Sequence, residues 1–280
     1  MKLAWHNCYS IDKADVVVFG SANRTGSLYQ GTEQAPNEIR SASIKWLSGE
    51  TLKGEKFSLQ PNELISKKVF DAFNLEKQEI PEFVHRLSKL KKIPAMIGGD
   101  HSNTLEVLQG LSKSYKSISI VYFDSHLDLV SDQGRFYGSV FHDASKIKSV
   151  KLNKSACIGC RAVRDIEIKN AKKYKLMVVP ATTVEEEGTK KIFKKVKKKA
   201  GKNIYLSIDI DCIDPGNAPG VSDPTPCGLT PLQVTSLAKQ FAASKIIGFD
   251  LVEVNPLRDQ FNLTVNLGAK LFSEILASLK

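Results

Sequence analysis

The sequence has no apolar run that approaches the ~18 residues a membrane-spanning helix needs. Its first twenty residues, MKLAWHNCYSIDKADVVVFG, hold no continuous apolar stretch of signal-peptide length, because the polar stretch from Asn7 to Asp15 breaks them up. Cysteine is scarce: five residues leave at least one unpaired and define no disulfide framework, so a reducing cytoplasm is the expected location. Linkers, internal repeats and low-complexity tracts are also missing, and residues 1–280 read as one domain. The single candidate break, Ser48–Ser66, is polar and weakly periodic and reads as a surface excursion. With 42% apolar and 25% charged residues, the composition is that of a soluble globular protein and excludes a disordered chain.

Positive charge is what the chain has in excess: 40 Lys+Arg against 30 Asp+Glu, a formal charge of +10. That balance invites a nucleic-acid partner, and its basis would be the run Lys190–Lys199. Yet Ile192, Phe193 and Val196 form an apolar stripe within it. The lysines then fill the solvated face and the carboxyl end, where the helix dipole favours cations. No aromatic residues interleave on the basic face as a stacking platform requires. No specific nucleic-acid partner and no membrane partner are expected.

Short β-branched runs alternate with segments of helical period. The runs are Asp15–Gly20, Ile93–Gly98, Ser117–Phe123, Ala156–Gly159, Leu176–Val179, Ile204–Ile210 and Lys245–Val254. Most are nearly continuous in apolar residues, which suits strands buried on both faces of a parallel sheet. Helices are predicted over Pro81–Lys91, Asn103–Leu111, Val163–Lys173, Pro231–Phe241 and Leu263–Leu279. Another is predicted from Thr183, with Glu186 completing a capping box, to Gly201 as the stop. Seven strands alternating with helices predict an α/β fold, a three-layer α/β/α domain with a mostly parallel sheet.

The chemistry gathers where three of these strands end. One is followed by Gly98-Gly99-Asp100-His101-Ser102, another by Asp124-Ser125-His126-Leu127-Asp128, and a third by Asp209-Ile210-Asp211-Cys212-Ile213-Asp214-Pro215. In open α/β sheets, ligands bind beyond the carboxyl ends of the strands. Side chains two apart on an extended segment share a face, so Asp124, His126 and Asp128 can converge, as can Asp209 and Asp211. Carboxylates this close repel and would hold protons unless a cation sits among them. With His101 the set offers six ligands, four of them carboxylates, whose charge balances two divalent ions. Mixed imidazole and carboxylate donors suit Mn²⁺ better than thiolate-preferring metals, and two ions ~3.5–4 Å apart can activate a shared water.

Other residues of these types read as structural. Asp100, Asp214 and Asp223 suit turns or N-caps, and His6 and His85 suit satisfied core or surface positions. Cys157-Ile158-Gly159-Cys160 could be a redox pair before a helix, but both cysteines also fit the end of a buried strand. Cys212 and Cys227 do not supply the second close pair that a structural zinc site would need.

The set Gly-Gly-Asp-His-Ser, Asp-Ser-His-Leu-Asp and Ser-Ile-Asp-Ile-Asp-Cys-Ile-Asp-Pro resembles the arginase/agmatinase (ureohydrolase) superfamily. Gly31-Thr32-Glu33-Gln34-Ala35-Pro36-Asn37-Glu38-Ile39-Arg40 looks like that family's lead into its first helix. Ala218-Pro219-Gly220, Gly228-Leu229-Thr230 and Val252-Glu253-Val254-Asn255-Pro256 extend the likeness over nearly the whole chain. The resemblance implies two Mn²⁺ per chain. One would be held by His101, Asp124, Asp128 and Asp209, and the other by Asp124, His126, Asp209 and Asp211. It also implies hydrolysis of linear guanidino or amidino compounds, with Glu253 pairing to the cationic substrate and Asp128 passing a proton to the departing nitrogen. Homo-oligomers are usual in the family.

One stretch departs from the pattern. Where agmatinase-like members carry His-Gly-Thr-x-Phe, this chain has Tyr137-Gly138-Ser139-Val140-Phe141, so Tyr137 stands at the position of a proton-shuttling or substrate-contacting histidine. A phenol with a reference pKa near ~10 is a poor shuttle at neutral pH, although it can donate a hydrogen bond. Tyr137 and Ser139 are candidate substrate-binding residues, and His142 is a candidate substitute set against a structural role. In the preceding loop, Asp132 would favour an amine tail on the substrate, as in agmatine, and Arg135 a carboxylate tail. The run Ala218-Pro219-Gly220-Val221-Ser222 is similar to formimidoylglutamases, whereas Ile158-Gly159-Cys160-Arg161 and the N-terminal stretch are similar to agmatinases. An agmatinase-type activity ranks narrowly first. A formimidoylglutamase or an arginase or guanidino-acid hydrolase follows, then a homologue that keeps its metals without turnover.

Overall fold

Burial on both faces makes the apolar runs strands. In chain order the computed structural model has β1 (Val16–Gly20), the two-residue β2 (Thr51–Leu52) and β3 (Glu55–Lys56), then β4 (Val69–Asn74), β5 (Ile93–Ile97) and β6 (Ser119–Phe123). After these come β7 (Ala156–Cys160), β8 (Met177–Pro180), β9 (Ile204–Asp209) and β10 (Ile246–Val252). It describes residues 5–44, 51–52, 55–56 and 65–280. Most of the polar excursion expected over 48–66 lies outside the described residues; its described part includes the antiparallel pair β2–β3. The other eight strands form one all-parallel sheet in the order β4-β1-β5-β10-β9-β6-β7-β8.

Alternate residues of the central strands feed two separate cores, as a double-sided parallel sheet requires. Val121 and Phe123 of β6 join Ile204, Leu206 and Ile208 of β9 on one face. Ile120 and Tyr122 join Tyr205 on the other. The first face is covered by α1 (Ala35–Ser43), α6 (Ala181–Glu187), α7 (Thr189–Lys199), α8 (Pro231–Ala242) and α9 (Leu263–Ser278). The second is covered by α2 (Ile80–Lys89), α3 (Thr104–Ser112), α4 (Val140–Ala144) and α5 (Asp165–Tyr174). The three-layer α/β expectation therefore holds, with every pairing in the large sheet parallel.

Two local expectations fail for identifiable reasons. The helix expected from Thr183 to Gly201 is two helices, because Gly188 between them sits at φ 76°, ψ 153°. That conformation belongs to glycine and cannot continue a right-handed helix. The Thr183–Glu186 capping box is absent too, since α6 starts after Pro180 and no side chain caps it. Strand β4 was not expected at all. Its sequence, Val-Phe-Asp-Ala-Phe-Asn, has two polar residues in six and lies at the sheet edge, and Asp71 at its middle takes Arg40 of α1 in a buried bidentate pair (2.8 and 3.0 Å). On α7, Ile192 and Val196 are buried and Phe193 packs against Phe241, while Lys190, Lys191, Lys194, Lys195 and Lys198 are exposed, as the apolar stripe implies.

Candidate metal centre

Four strands that are scattered along the chain are neighbours in the sheet: β5, β10, β9 and β6 lie side by side at its centre. Their carboxyl ends therefore open onto one place, and each releases part of the site there. Behind β5 come Asp100 and His101, and behind β6 come Asp124 to Asp128. Strand β9 ends on Asp209 with Asp211 just beyond, and Glu253 follows β10.

The expected convergence occurs, but the backbone reaches it differently. Instead of extended segments, the chain folds back at each strand end on an aspartate side chain that accepts the N–H two residues on. These contacts are Asp100 from Ser102 (2.9 Å), Asp124 from His126 (2.7 Å) and Asp209 from Asp211 (2.8 Å). Such Asx turns are how a short acidic side chain replaces a backbone turn bond. Asp128 and Glu253 then adopt left-handed backbone, at φ 51° and 64°. Non-glycine residues pay for that conformation, and surrounding structure must hold them in it. Phe141 N–H donates to the Asp128 carbonyl (3.0 Å), and the Glu253 N–H donates to Gly99 (2.9 Å).

The result is a buried ring of ligands. Nδ1 of His101 lies 2.8 Å from Asp128, 3.2 Å from Asp124 and 3.3 Å from Asp209. Nδ1 of His126 lies 3.1 Å from Asp211 and 3.5 Å from Asp124. Two triads, His101/Asp124/Asp209 and Asp124/His126/Asp128, each present atoms within 4.8 Å of one another, as a metal site does. The His101 ring is oriented from behind: its Nε2 faces Ser207 Oγ at 3.0 Å, and that hydroxyl donates to Asp250 at 2.6 Å. Asp250 is buried and also accepts from Thr104 and Tyr205. Because Ser207 gives its proton to Asp250, it must accept from His101 Nε2–H, which turns the Nδ1 lone pair toward the acids.

Among the described residues, these close charge contacts are all that meets that inward face. His101 Nδ1 and Asp124 Oδ2 are buried without a hydrogen-bond partner of proper geometry. Burial resists charge on His101 and His126, but the surrounding carboxylates overcome it and raise both well above the usual imidazole range. Burial likewise resists charge on Asp124, which the two histidines nonetheless hold down at about 2. Burial and the neighbouring Asp124 push Asp128 up to about 8, and burial with Asp211 raises Asp209. Protons are thus shared out where cations would neutralise the acids. Carboxylate and imidazole donors around orphaned atoms fit divalent ions of the Mn²⁺ kind.

The chain matches the Arginase family over residues 14–278. It is a member of that family. An agmatinase of Neisseria meningitidis serogroup C is 31% identical over 182 residues, covering 64% of this chain and 57% of that protein, so the match spans little more than half of that relative. An agmatinase of Blochmanniella floridana is 30% identical over 257 residues, covering 88% of this chain and 82% of that protein. Among solved structures, the proclavaminate amidino hydrolase of Streptomyces clavuligerus superposes with a TM-score of 0.85 at 25% identity, covering 99% and 97% of the two chains.

Around this arginase-family centre the candidate substrate residues separate. Glu253 is buried and accepts the His101 N–H at 2.7 Å, and burial with the nearby Asp100 raises its carboxyl well above the usual range. The Tyr137 phenol is close enough to feel Asp223, Glu253 and Asp128; burial, then Asp223 and Glu253, push it up to about 12. The Ser139 hydroxyl accepts from the Phe136 N–H and donates toward the Phe136 carbonyl and Asp143, so within the chain it builds the loop that leads into α4. Arg135 is half exposed and pairs with Glu106 of α3. His142 bonds Tyr174 through Nδ1 at 3.0 Å, which is the structural role.

Asp100 and Asp214 are turn residues as expected, and His6 and His85 have local partners. Asp223 is not merely one. Its carboxylate is half exposed and lies 3.6 Å from His126 Nε2, on the side away from the other acids. A lone Asp before a proline carries no sequence signal for this placement. Cys157 and Cys160 are buried, and burial raises the Cys157 thiol, the opposite of what a redox nucleophile needs.

Proposed function

We propose that this chain hydrolyses a C–N bond of a linear guanidino or amidino compound at two manganese ions. The observation that carries the reading is the ring itself, in which His101 Nδ1 and Asp124 Oδ2 are buried, face each other and the neighbouring acids, and make no hydrogen bond of proper geometry. His101, Asp124, Asp128 and Asp209 would hold one ion, and Asp124, His126, Asp209 and Asp211 the other. When bound, such a pair activates water for attack on a carbon that charge delocalisation makes a poor electrophile. Glu253 keeps one oxygen on the His101 N–H and turns the other to the guanidinium, orienting it by charge-assisted hydrogen bonds. Asp128 moves the proton to the departing nitrogen. Tyr137, protonated at neutral pH, positions substrate by donating a hydrogen bond and does not shuttle protons.

The names of the relatives make agmatine one candidate, giving putrescine and urea; a formimino acid would give formamide instead. All five cysteines are free, and a cytoplasmic location is proposed. No helix among the described residues is long and apolar enough to cross a membrane. A homo-oligomer is proposed on the family resemblance alone. The test is product release with Mn²⁺ on agmatine, arginine, 4-guanidinobutyrate and formimino-glutamate. His126→Ala and Asp209→Ala should abolish turnover and lower bound metal below two ions per chain. Full occupancy and normal rates in those variants, or no product from any compound with the wild type, would defeat the proposal.

A further inference from the structure

Beyond Tyr137 the sign of the lining charge reverses. A cavity of about 410 Å³ is lined by Tyr137, Phe136, Arg135 and Arg164 together with Thr25 and Gly26. A second cavity of about 560 Å³ adjoins it through Thr25, Gly26 and Arg135, and adds Lys77 and Glu106. Their common wall is tied to the metal centre: Gly26 N–H donates to Asp100 at 2.8 Å, and Tyr137 N–H donates to Gly26 at 3.1 Å. Among the described residues no Asp or Glu lines the nearer cavity, and Asp132, the one acid of the 129–136 loop, is absent from its walls. In the farther one the only acid among the described residues is Glu106, which is buried and already paired with Arg135. The Lys77 amine rests on the hydroxyls of Thr25 (3.0 Å) and Ser102 (3.1 Å). Three cations therefore face one committed carboxylate, next to a centre where the acids gather.

We infer that the substrate is a guanidino or amidino acid, whose anionic far end is received by Arg164 and Arg135 while its cationic end docks at Glu253. An amine tail of the agmatine type would place an ammonium between two guanidiniums, where the one carboxylate among the described lining residues, Glu106, is already paired with Arg135. This rests on the hydrolase reading above, and it names the substrate class for that site. Arg164 and Arg135 are specificity-determining residues, and the planar guanidinium suits a carboxylate bidentately.

Agmatine and 4-guanidinobutyrate share the reacting group and differ at the tail, so they separate the two ideas. Calorimetric binding of each to the Mn²⁺-loaded full chain tests the tail, and urea release tests the hydrolase reading. The acid should bind at least tenfold more tightly than the amine. Arg164→Gln should remove most of that preference by weakening the acid alone, and Arg135→Gln should act in the same direction. Because Arg135→Gln strands Glu106 in the interior and could disturb folding, Arg164→Gln is the deciding variant. Tighter binding of agmatine, equal binding, binding of neither, or a preference that survives Arg164→Gln would overturn the inference. Acid-selective binding without product from any of the four compounds would instead sink the hydrolase reading and leave the tail assignment standing.

Discussion

His101 is oriented through Nε2 by Ser207, and the side chain behind it matters as much as the acids in front. Ser207 accepts from Nε2 only because Asp250 takes its own proton. Ser207→Ala should leave the fold intact and weaken Mn²⁺ binding by about 10–100-fold, the usual effect of losing such an outer partner. Calorimetric titration of the metal checks this, and unchanged affinity would show that the ring needs no support from behind. The residues proposed as ligands were legible in the sequence because they sit at strand ends, with Asp124, His126 and Asp128, and Asp209 and Asp211, spaced two apart and His101 beside Asp100. Ser207 and Asp250 were not, since both lie inside apolar strands, where a polar residue gives no hint of its partner. Asp223 was hidden for a different reason: His126 lies far from it in sequence, and only the fold brings them together.

At the level of elements, the strands legible in the sequence were the ones with nearly continuous apolar runs, most of them buried on both faces and β8 at the edge among them. Strand β4 escaped because its identity depends on Arg40 of another element. Once Asp71 is paired, a polar residue can occupy the middle of a strand; without Arg40 the same sequence reads as loop. Asp71→Ala should therefore cost about 3–5 kcal/mol, because it leaves a buried guanidinium unpaired, and urea denaturation would register it. A loss below 1 kcal/mol would mean that water reaches Arg40. The split between α6 and α7 was hidden because a periodic pattern does not report the φ of one glycine.

The loop after β9 gives a pH-dependent case. Asp214 accepts N–H bonds from Gly228 and Gly216, which hold its carboxyl below the usual range. A depressed folded pKa contributes stability that is present above the unfolded value, near ~3.9, and is lost as pH falls through the folded one. Asp214→Asn should thus be less stable than wild type at neutral pH, with the gap closing in acid. Melting curves across that range test it, and a gap that stays constant with pH would remove the carboxylate from the account.

For the whole molecule, the +10 formal charge is a poor guide to what the protein holds. Lysines cover the outside of α7, while four buried carboxylates, the buried His101 and the partly exposed His126 share one place. Without cations that place depends on protons, since His101 and His126 are raised well above the imidazole range. Metal ions must displace those protons, because a ligating imidazole is neutral. Mn²⁺ binding should therefore release protons and weaken as pH falls, which titration in buffers of different ionisation enthalpy would reveal. The same linkage reaches global stability. Free metal at about 100 times its dissociation constant stabilises by about 2.7 kcal/mol per site, and a chain of this size shifts by roughly 2–4 °C per kcal/mol. Chelation should lower Tm by about 5–10 °C for each site emptied, and restored Mn²⁺ should return it. Asp209→Ala, which removes an acid proposed to bridge both ions, should melt at one temperature with or without chelator. A wild-type Tm indifferent to chelation would mean that protons alone neutralise the ring, and the metal assignment would fall with it.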